Sequence, residues 1–166
     1  MLLRRAFSPW TAALAFWLFV LLAIALTTWP FEFRLGAEAI RAKWAQTEWV
    51  FFYYHHGQLT IDVDLLLNLV FFTPLGVIWV FMVQPPRLWQ AVAGSVAVGL
   101  ALSVLVEGLQ VLTPYRTTQL ADVWRNTLGA GLGGLAAGVI RPKIERWLEP
   151  TEGDGGGIVT PGRKLR

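Results

Sequence analysis

Long uncharged stretches constrain the fold of this chain more than any other feature. No charged residue occurs in 10–29, 65–83, 88–106 or 126–140. At about 1.5 Å of rise per residue, a helix over any of the first three stretches crosses a hydrocarbon layer of roughly 30 Å. The fourth reaches that length only if its helix starts near Leu120 and includes Asp122 and Arg125. The sequence therefore predicts an all-α, polytopic membrane protein with four transmembrane helices.

The composition agrees with a membrane protein and argues against several kinds of functional site. Hydrophobic residues make up 55% and charged residues 15%, well outside the balance of a soluble domain. The chain has no cysteine, which excludes disulfides and thiolate catalysis. It shows no haem, iron–sulfur or zinc motif, so we expect no cofactor. We also expect no metal at His55-His56, because adjacent side chains point in different directions and no third ligand is near.

The distribution of Lys and Arg predicts the orientation. With the N-terminus in the cytosol, nine of these residues fall inside, four fall outside and Arg125 lies in the membrane. The inner residues are Arg4, Arg5, Arg87, Arg141, Lys143, Arg146, Arg163, Lys164 and Arg166; the outer ones are Arg34, Arg41, Lys43 and Arg116. The positive-inside rule then places both termini in the cytosol. We expect the protein to lie in the inner (cytoplasmic) membrane. The same distribution argues against a nucleic-acid binder, despite a net charge of +3.

These features divide the chain into a membrane domain, residues 1–149, and a tail. The predicted spans are about 10–29, 64–83, 88–111 and 119–140. The outer loop 30–61 mixes charges with aromatic residues, so we expect it to lie at the membrane surface and to be partly helical. The glycine-rich tail 150–166 is predicted to be a disordered cytosolic segment. A cleaved signal sequence remains an alternative for the first span, although its uncharged run extends to Trp29.

Small residues recur every fourth position in the third and fourth spans. They are Ser95, Gly99 and Ser103, then Gly129 and Gly133, and Ala130, Gly134 and Gly138. Such faces allow helix backbones to approach closely in lipid, either inside one monomer or in a homo-oligomer. Pro74 lies inside the second span and removes a backbone donor, so we expect a kink there.

Polar residues lie at the outer ends of three predicted spans. Asp64 and Asn68 are four residues apart, Glu107 and Gln110 three apart, and Asp122 and Asn126 four apart, so each pair shares one helix face. Two cations, Arg116 and Arg125, are available to Glu107 and Asp122. Ionisable residues in a membrane usually face the bundle interior or a wet cavity, where they serve function. The sequence therefore predicts one polar pocket near the outer leaflet, suited to an anion or to an internal salt-bridge network.

A simpler interpretation exists for some of these residues. Asp64 and Asp122 lie near helix N-termini, where carboxylates cap free amides and suit the helix dipole. Arg125 could extend to the headgroups instead of pairing internally. Glu107 is different, because a carboxylate near a helix C-terminus opposes the dipole, and it is the strongest single candidate.

These residues resemble the pattern of the VanZ-like family of bacterial membrane proteins, which is named for an accessory factor in teicoplanin resistance. One part of the pattern reads "NLVFFTPLG", with Asn68, Phe72, Pro74 and Gly76. The other reads "EGLQVLTPYRTTQLADVWRNTLGAGLG", with Glu107, Gln110, Arg116, Asp122, Asn126, Gly129 and Gly133. Arg125 lies outside the pattern. The resemblance implies a role at the cell envelope.

Three functions are compatible with the predicted pocket. We favour a non-enzymatic accessory protein that binds an envelope lipid or another amphiphile, as in glycopeptide resistance. The first alternative is a membrane enzyme that uses Glu107 and Asp122 as an acid–base pair on a lipid-linked substrate. The second is a structural polar clasp or part of a transport path. Expected partners are membrane lipids and a lipid-linked or amphiphilic envelope ligand. The small-residue faces leave a homo-oligomer as an alternative to packing inside the monomer.

Overall fold

The computed structural model describes residues 8–47, 54–55, 58–59, 63–116 and 118–148, except for the side chains of residues 54–55, 58–59, Asp64 and Leu148. Within these ranges five helices form: α1 (Pro9–Thr28), α2 (Ala37–Ala45), α3 (Val63–Val83), α4 (Leu88–Val111) and α5 (Leu120–Leu148). The all-α prediction did not include one feature of these ranges. β1 (Tyr54–His55) pairs with β2 (Gln58–Leu59) as two short antiparallel strands. The tail 150–166 and most of 48–62 lie outside the described residues.

Among the described residues, three helices are long and apolar enough to cross a membrane: α1, α3 from Leu65 and α4. This confirms the prediction of an apolar, helical, multi-pass protein. The first of them begins at a cap, since the Ser8 hydroxyl accepts a hydrogen bond from the Thr11 N–H (3.3 Å) and Pro9 occupies the first turn. The turn between α3 and α4 is short, and Gln84 ends α3 with a left-handed backbone (φ 53°).

The fifth helix lies against both α3 and α4 and forms the centre of the bundle. Its small residues face inward: a Cβ on Gly129 or Gly133 would overlap the backbone of Leu69 or Thr73 of α3. Gly134 meets Ser95 of α4 on the other side. Because hydrogen side chains leave room for a neighbouring backbone, the two small-residue faces allow α5 to pack closely between α3 and α4.

Large apolar side chains of α5 point the opposite way. Leu128, Leu132, Leu135 and Val139 are each more than 40% exposed and follow a helical spacing of four, three and four residues. The helix is therefore small inside and large outside, the reverse of a water-soluble amphipathic helix. Apolar side chains on the outer surface suit lipid as the surrounding solvent.

The first helix packs on the outside of the bundle through aromatic side chains. Phe19 contacts Phe71 and Phe72 of α3 with ring centroids 5.2 and 6.3 Å apart, and Phe16 lies 6.4 Å from Trp79. Ala23 of α1 is fully buried in the same apolar cluster as Phe72, Leu75, Leu102, Val106 and Ala130. Of the twenty residues of α1, nine are exposed, nine are partly buried and only Ala23 and Thr28 are buried. This helix thus covers one side of α3 without entering the centre of the bundle.

Pro74 lies inside α3, and the helix continues past it to Val83. The neighbouring Thr73 hydroxyl donates to the carbonyl of Leu69 (2.8 Å). A second proline, Pro142, lies inside α5, which continues for six residues beyond it, to Leu148. The helix therefore extends past residue 140, where the apolar stretch ends.

Candidate functional site

Glu107 is held by the start of the neighbouring helix. Its carboxylate accepts a hydrogen bond from the backbone N–H of Gln119 (3.1 Å), the residue before α5, and only 7% of the residue is exposed. The first N–H groups of a helix have no intrahelical partner and carry partial positive charge. The carboxylate thus opposes the dipole of its own helix, α4, but is stabilised by that of α5.

The two charges at the start of α5 pair with each other. Arg125 donates from Nη1 to Asp122 Oδ1 (3.1 Å), one turn earlier on the same helix. The guanidinium carbon lies 5.9 Å from the ring centre of Trp124, a cation–π distance. With 2% of its side chain exposed, Arg125 is buried and does not extend to the surface.

Ser103 joins the buried amide of Asn126 to the other polar groups. The Asn126 Nδ2 donates to Ser103 Oγ (2.9 Å), and Ser103 Oγ donates to the backbone carbonyl of Asp122 (3.5 Å). Asn126 is 3% exposed. These contacts connect α4 to α5 through side chains in the interior, where a hydrogen bond avoids the cost of an unpaired polar group.

The remaining predicted site residues lie around this centre. Asn68 is partly buried and lies one turn before the buried Phe72 on α3. Gln110 is buried, and its backbone carbonyl accepts both the N–H and the hydroxyl of Thr113 (3.0 Å each). The side chain of Asp64 lies outside the described part of the structure.

Arg116 lies apart from the carboxylates. It is exposed, and its Nη2 donates to the carbonyl of Leu26 near the end of α1 (3.0 Å). Within the described residues it makes no ion pair with Glu107. The sequence placed Arg116 beside the carboxylates, whereas the structure uses it to connect the α4–α5 loop to α1.

The described part of that loop, residues 112–116 and 118–119, is also connected to the segment before and within α2. The Arg34 N–H donates to the Leu112 carbonyl (2.8 Å), and the Lys43 ammonium donates to the carbonyl of Arg116. Tyr115 donates its hydroxyl to Glu32 (2.9 Å), and this bond raises the pKa of Tyr115. The loop and α2 therefore form one hydrogen-bonded cover over the end of α4.

A cavity of about 220 Å³ lies under this cover, between α2, the end of α4 and the start of α5. We call it the Glu107 cavity. Its walls are mainly apolar, and its polar residues include Glu107 and Thr118. The lining residues are Trp44, Thr47, Val104, Glu107, Gly108, Val111, Thr118, Gln119, Leu120 and Val123. An apolar hollow with a few convergent polar groups has the usual character of a ligand site.

A second cavity, of about 170 Å³, lies on the other side of α2 and shares Val111 with the first. It is lined by Arg34 and Lys43 together with Gln46, Thr113 and Pro114, among others. Arg34 and Lys43 therefore line a different space from Glu107. Among the described residues, no group of three His, Asp or Glu side chains could hold a metal ion.

Several residues of the site were not candidates from sequence, among them Ser103, Thr118 and Trp44. Ser103 was interpreted only as a small packing residue, although it lies four positions before Glu107 and hence on the same helix face. Thr118 and Trp44 carry no motif, and their place in the cavity depends on how the loop and α2 fold over α4. The first could have been found from helical spacing, whereas the other two depend on tertiary contacts.

Comparison with known proteins gives one match. A family model described as VanZ/LLP1 matches residues 15–141, about three quarters of the chain. This range includes most of α1, all of α2 to α4, the Glu107 cavity and most of α5. No curated protein and no solved structure matches the chain.

Proposed function

This chain belongs to the VanZ/LLP1 family, and from that premise we propose that it binds an envelope lipid or another amphiphile in the Glu107 cavity. It acts as an accessory protein of the cell envelope, in the manner of the teicoplanin-resistance factor that its motifs resemble. The supporting observation is a buried carboxylate at the wall of an apolar cavity whose other lining side chains are mostly hydrophobic.

In this proposal α5 is a fourth membrane span. Its outer face presents Leu128, Leu132, Leu135 and Val139, as a lipid-facing surface requires. Its two charges before residue 141, Asp122 and Arg125, neutralise each other, which lowers the cost of placing them at membrane depth. Arg141, Lys143 and Arg146 follow the apolar part, as they do at a cytosolic boundary.

The four-span arrangement places the Glu107 cavity in the outer half of the membrane. Glu107 is four residues from the end of α4, whose other end follows the turn that contains Arg87. That turn and the basic end of α5 lie on the cytosolic side if the positive-inside rule holds. The cavity then opens near the external headgroups, where amphiphiles are present at high local concentration.

The size of the cavity indicates how a ligand would bind. At about 220 Å³ it is smaller than the 300–1,000 Å³ of sites that enclose a drug-sized molecule. It therefore holds one end of an amphiphile while the remainder stays in the bilayer. The hydrocarbon nearest the polar end contacts Trp44, Val104 and Leu120.

The test fills the cavity without changing its charge. Val104 lines the cavity and is 55% exposed, so a Val104→Phe change adds volume at a position that tolerates it. Protein in lipid nanodiscs is photolabelled with a diazirine-bearing envelope lipid, and labelling at the cavity is measured by peptide mass spectrometry. We expect Val104→Phe to reduce labelling about tenfold, which corresponds to about 1.4 kcal/mol.

Leu105→Phe is the matched control, because Leu105 is the next residue, is also exposed and does not line the cavity. It should label as the unmodified protein does. Equal labelling of both variants at unmodified levels, or no specific labelling of the cavity in any of them, would refute the proposal.

A second role is favoured by the hydrogen bonds of Ser103. They join α4 to Asn126 and to the backbone of Asp122, away from the lining of the cavity. We assign this part of the cluster to a structural clasp that holds α5 against α4. Binding and clasping then belong to different residues of the same polar region.

A further inference from the structure

The buried charges beside the Glu107 cavity do not balance. Among the described side chains, the polar centre contains the carboxylates of Glu107 and Asp122 and the guanidinium of Arg125. Arg125 pairs with Asp122, so the ionised centre has a net charge of −1 located at Glu107. An ionised group in a low-dielectric site is costly without an opposite charge.

Three cations near this end of the bundle are directed elsewhere. Lys43 donates to the Arg116 carbonyl and lines the second cavity, and Arg116 donates to Leu26. Arg34 also lines the second cavity. Within the described residues, the one hydrogen bond to the Glu107 carboxylate comes from a neutral donor, the Gln119 N–H.

Thr118 supplies an independent observation at the same cavity. It lines the cavity and is 7% exposed, and its hydroxyl has no hydrogen-bond partner within the described part of the chain. Buried hydroxyls normally have one, so an unpartnered one calls for an explanation. A ligand with a polar end at this point of the cavity would provide the missing bond.

We infer that the Glu107 cavity takes an amphiphile whose polar end is an ammonium group, which pairs with Glu107 and donates to the Thr118 hydroxyl. The inference rests on the proposed function and specifies its ligand class. An ammonium cancels the buried negative charge and brings several donors, and a charge-assisted hydrogen bond is stronger than a neutral one. An anionic headgroup would meet the carboxylate and be repelled, unlike in the cavity of Arg34 and Lys43.

The experiment compares headgroups on a constant chain. Three dodecyl probes with a diazirine beside the polar end carry an ammonium, a hydroxyl or a phosphate group. Each is added to the full-length protein in phosphatidylcholine nanodiscs, and cavity peptides are quantified after irradiation. We expect the ammonium probe to label the cavity at least about tenfold more than the phosphate or the hydroxyl probe.

Variants test which residues cause the preference for the ammonium probe. Glu107→Gln keeps the shape and removes the charge, so the preference for ammonium should disappear. Thr118→Val keeps the charge and the volume but removes the hydroxyl, and it should reduce ammonium labelling. Arg34→Ala changes the charge of the second cavity by one unit and should leave the preference intact.

Four results would overturn the inference. If all three probes label the cavity equally and Val104→Phe blocks them, the cavity binds amphiphiles but does not select ammonium. A preference for phosphate, or equal labelling by the ammonium and hydroxyl probes, would also contradict it. If no probe labels the cavity, the proposed function fails as well. The comparison of probes on the unmodified protein holds even if Glu107→Gln does not fold.

Discussion

At the scale of single residues, the charged side chains of the site are explained by their partners. Glu107 is unfavourable at the end of its own helix and favourable at the start of the next one, where it accepts the Gln119 N–H. Sequence spacing predicted that Glu107 faces the interior, yet it could not identify this donor, because the loop of residues 112–119 determines where α5 begins. Likewise, Arg125 and Arg116 were both available as cations, and the fold pairs Arg125 with Asp122.

The clasp gives a prediction at this scale. Removing either partner of the Asn126–Ser103 bond should destabilise the protein, and the two losses should not add. A double-mutant cycle of Asn126→Ala and Ser103→Ala should give a coupling energy of roughly 0.6 to 1.7 kcal/mol, the range for hydrogen bonds inside membrane proteins. The measurement is reversible unfolding in mixed micelles, and strictly additive losses would show that this bond contributes nothing to stability.

The hypothesis of an enzyme that uses Glu107 and Asp122 as acid and base stays a prediction. Asp122 is paired with Arg125, and the carboxylate of Glu107 is bonded to a backbone amide. Turnover of a lipid-linked substrate by purified protein, abolished in Glu107→Gln, would support the enzyme over the binding protein.

At the scale of elements, α5 shows why its composition differs from that of an ordinary helix. Glycine weakens an isolated helix, but here Gly129 and Gly133 let the backbone of α3 come within contact of α5. The recurrence of small residues predicted close packing, and it left open whether the neighbour belongs to the same chain. In the structure these glycines face α3 of the same chain. The possibility of additional contacts in a homo-oligomer stays a prediction.

Two glycines provide a matched test of this packing. A Cβ at Gly133 would overlap the Thr73 carbonyl, whereas at Gly108, on α4, nothing lies within 4 Å. Gly133→Ala should therefore lower the free energy of unfolding by about 1–3 kcal/mol through overpacking. Gly108→Ala should be neutral or stabilising by up to about 1 kcal/mol, because alanine is the better helix former. Equal effects of the two changes would contradict the tight α3–α5 contact.

At the scale of the whole molecule, the number of membrane spans is the prediction to be tested. In the part of the chain that the structure describes, three helices are long and apolar enough to span a membrane, whereas α5 includes Asp122 and Arg125 in its first turns. Sequence reasoning treated this fourth segment as atypical for the same reason. The pairing of Asp122 with Arg125 and the apolar outer face of α5 become apparent only in the packed structure.

Accessibility of single cysteines tests the four-span arrangement. The chain has no cysteine of its own, so each introduced thiol is unique. If α5 crosses the membrane, Trp147→Cys and Gln84→Cys should both be protected from an impermeant maleimide applied outside intact cells, while Tyr115→Cys reacts. Reaction of Trp147→Cys together with Tyr115→Cys would place both ends of α5 on one side and reject the fourth span.

The sequence by itself determined that this protein lies in lipid and that it is mainly helical. Runs of 19 or 20 uncharged residues have one stable form in hydrocarbon, the helix, because every backbone N–H and C=O must be bonded within the segment. The tertiary structure decided which groups pair and where a cavity remains. The positions of Thr118, Trp44 and Arg116 depend on how a loop and α2 cover the end of α4, and such contacts between distant segments leave no periodic signal in the sequence.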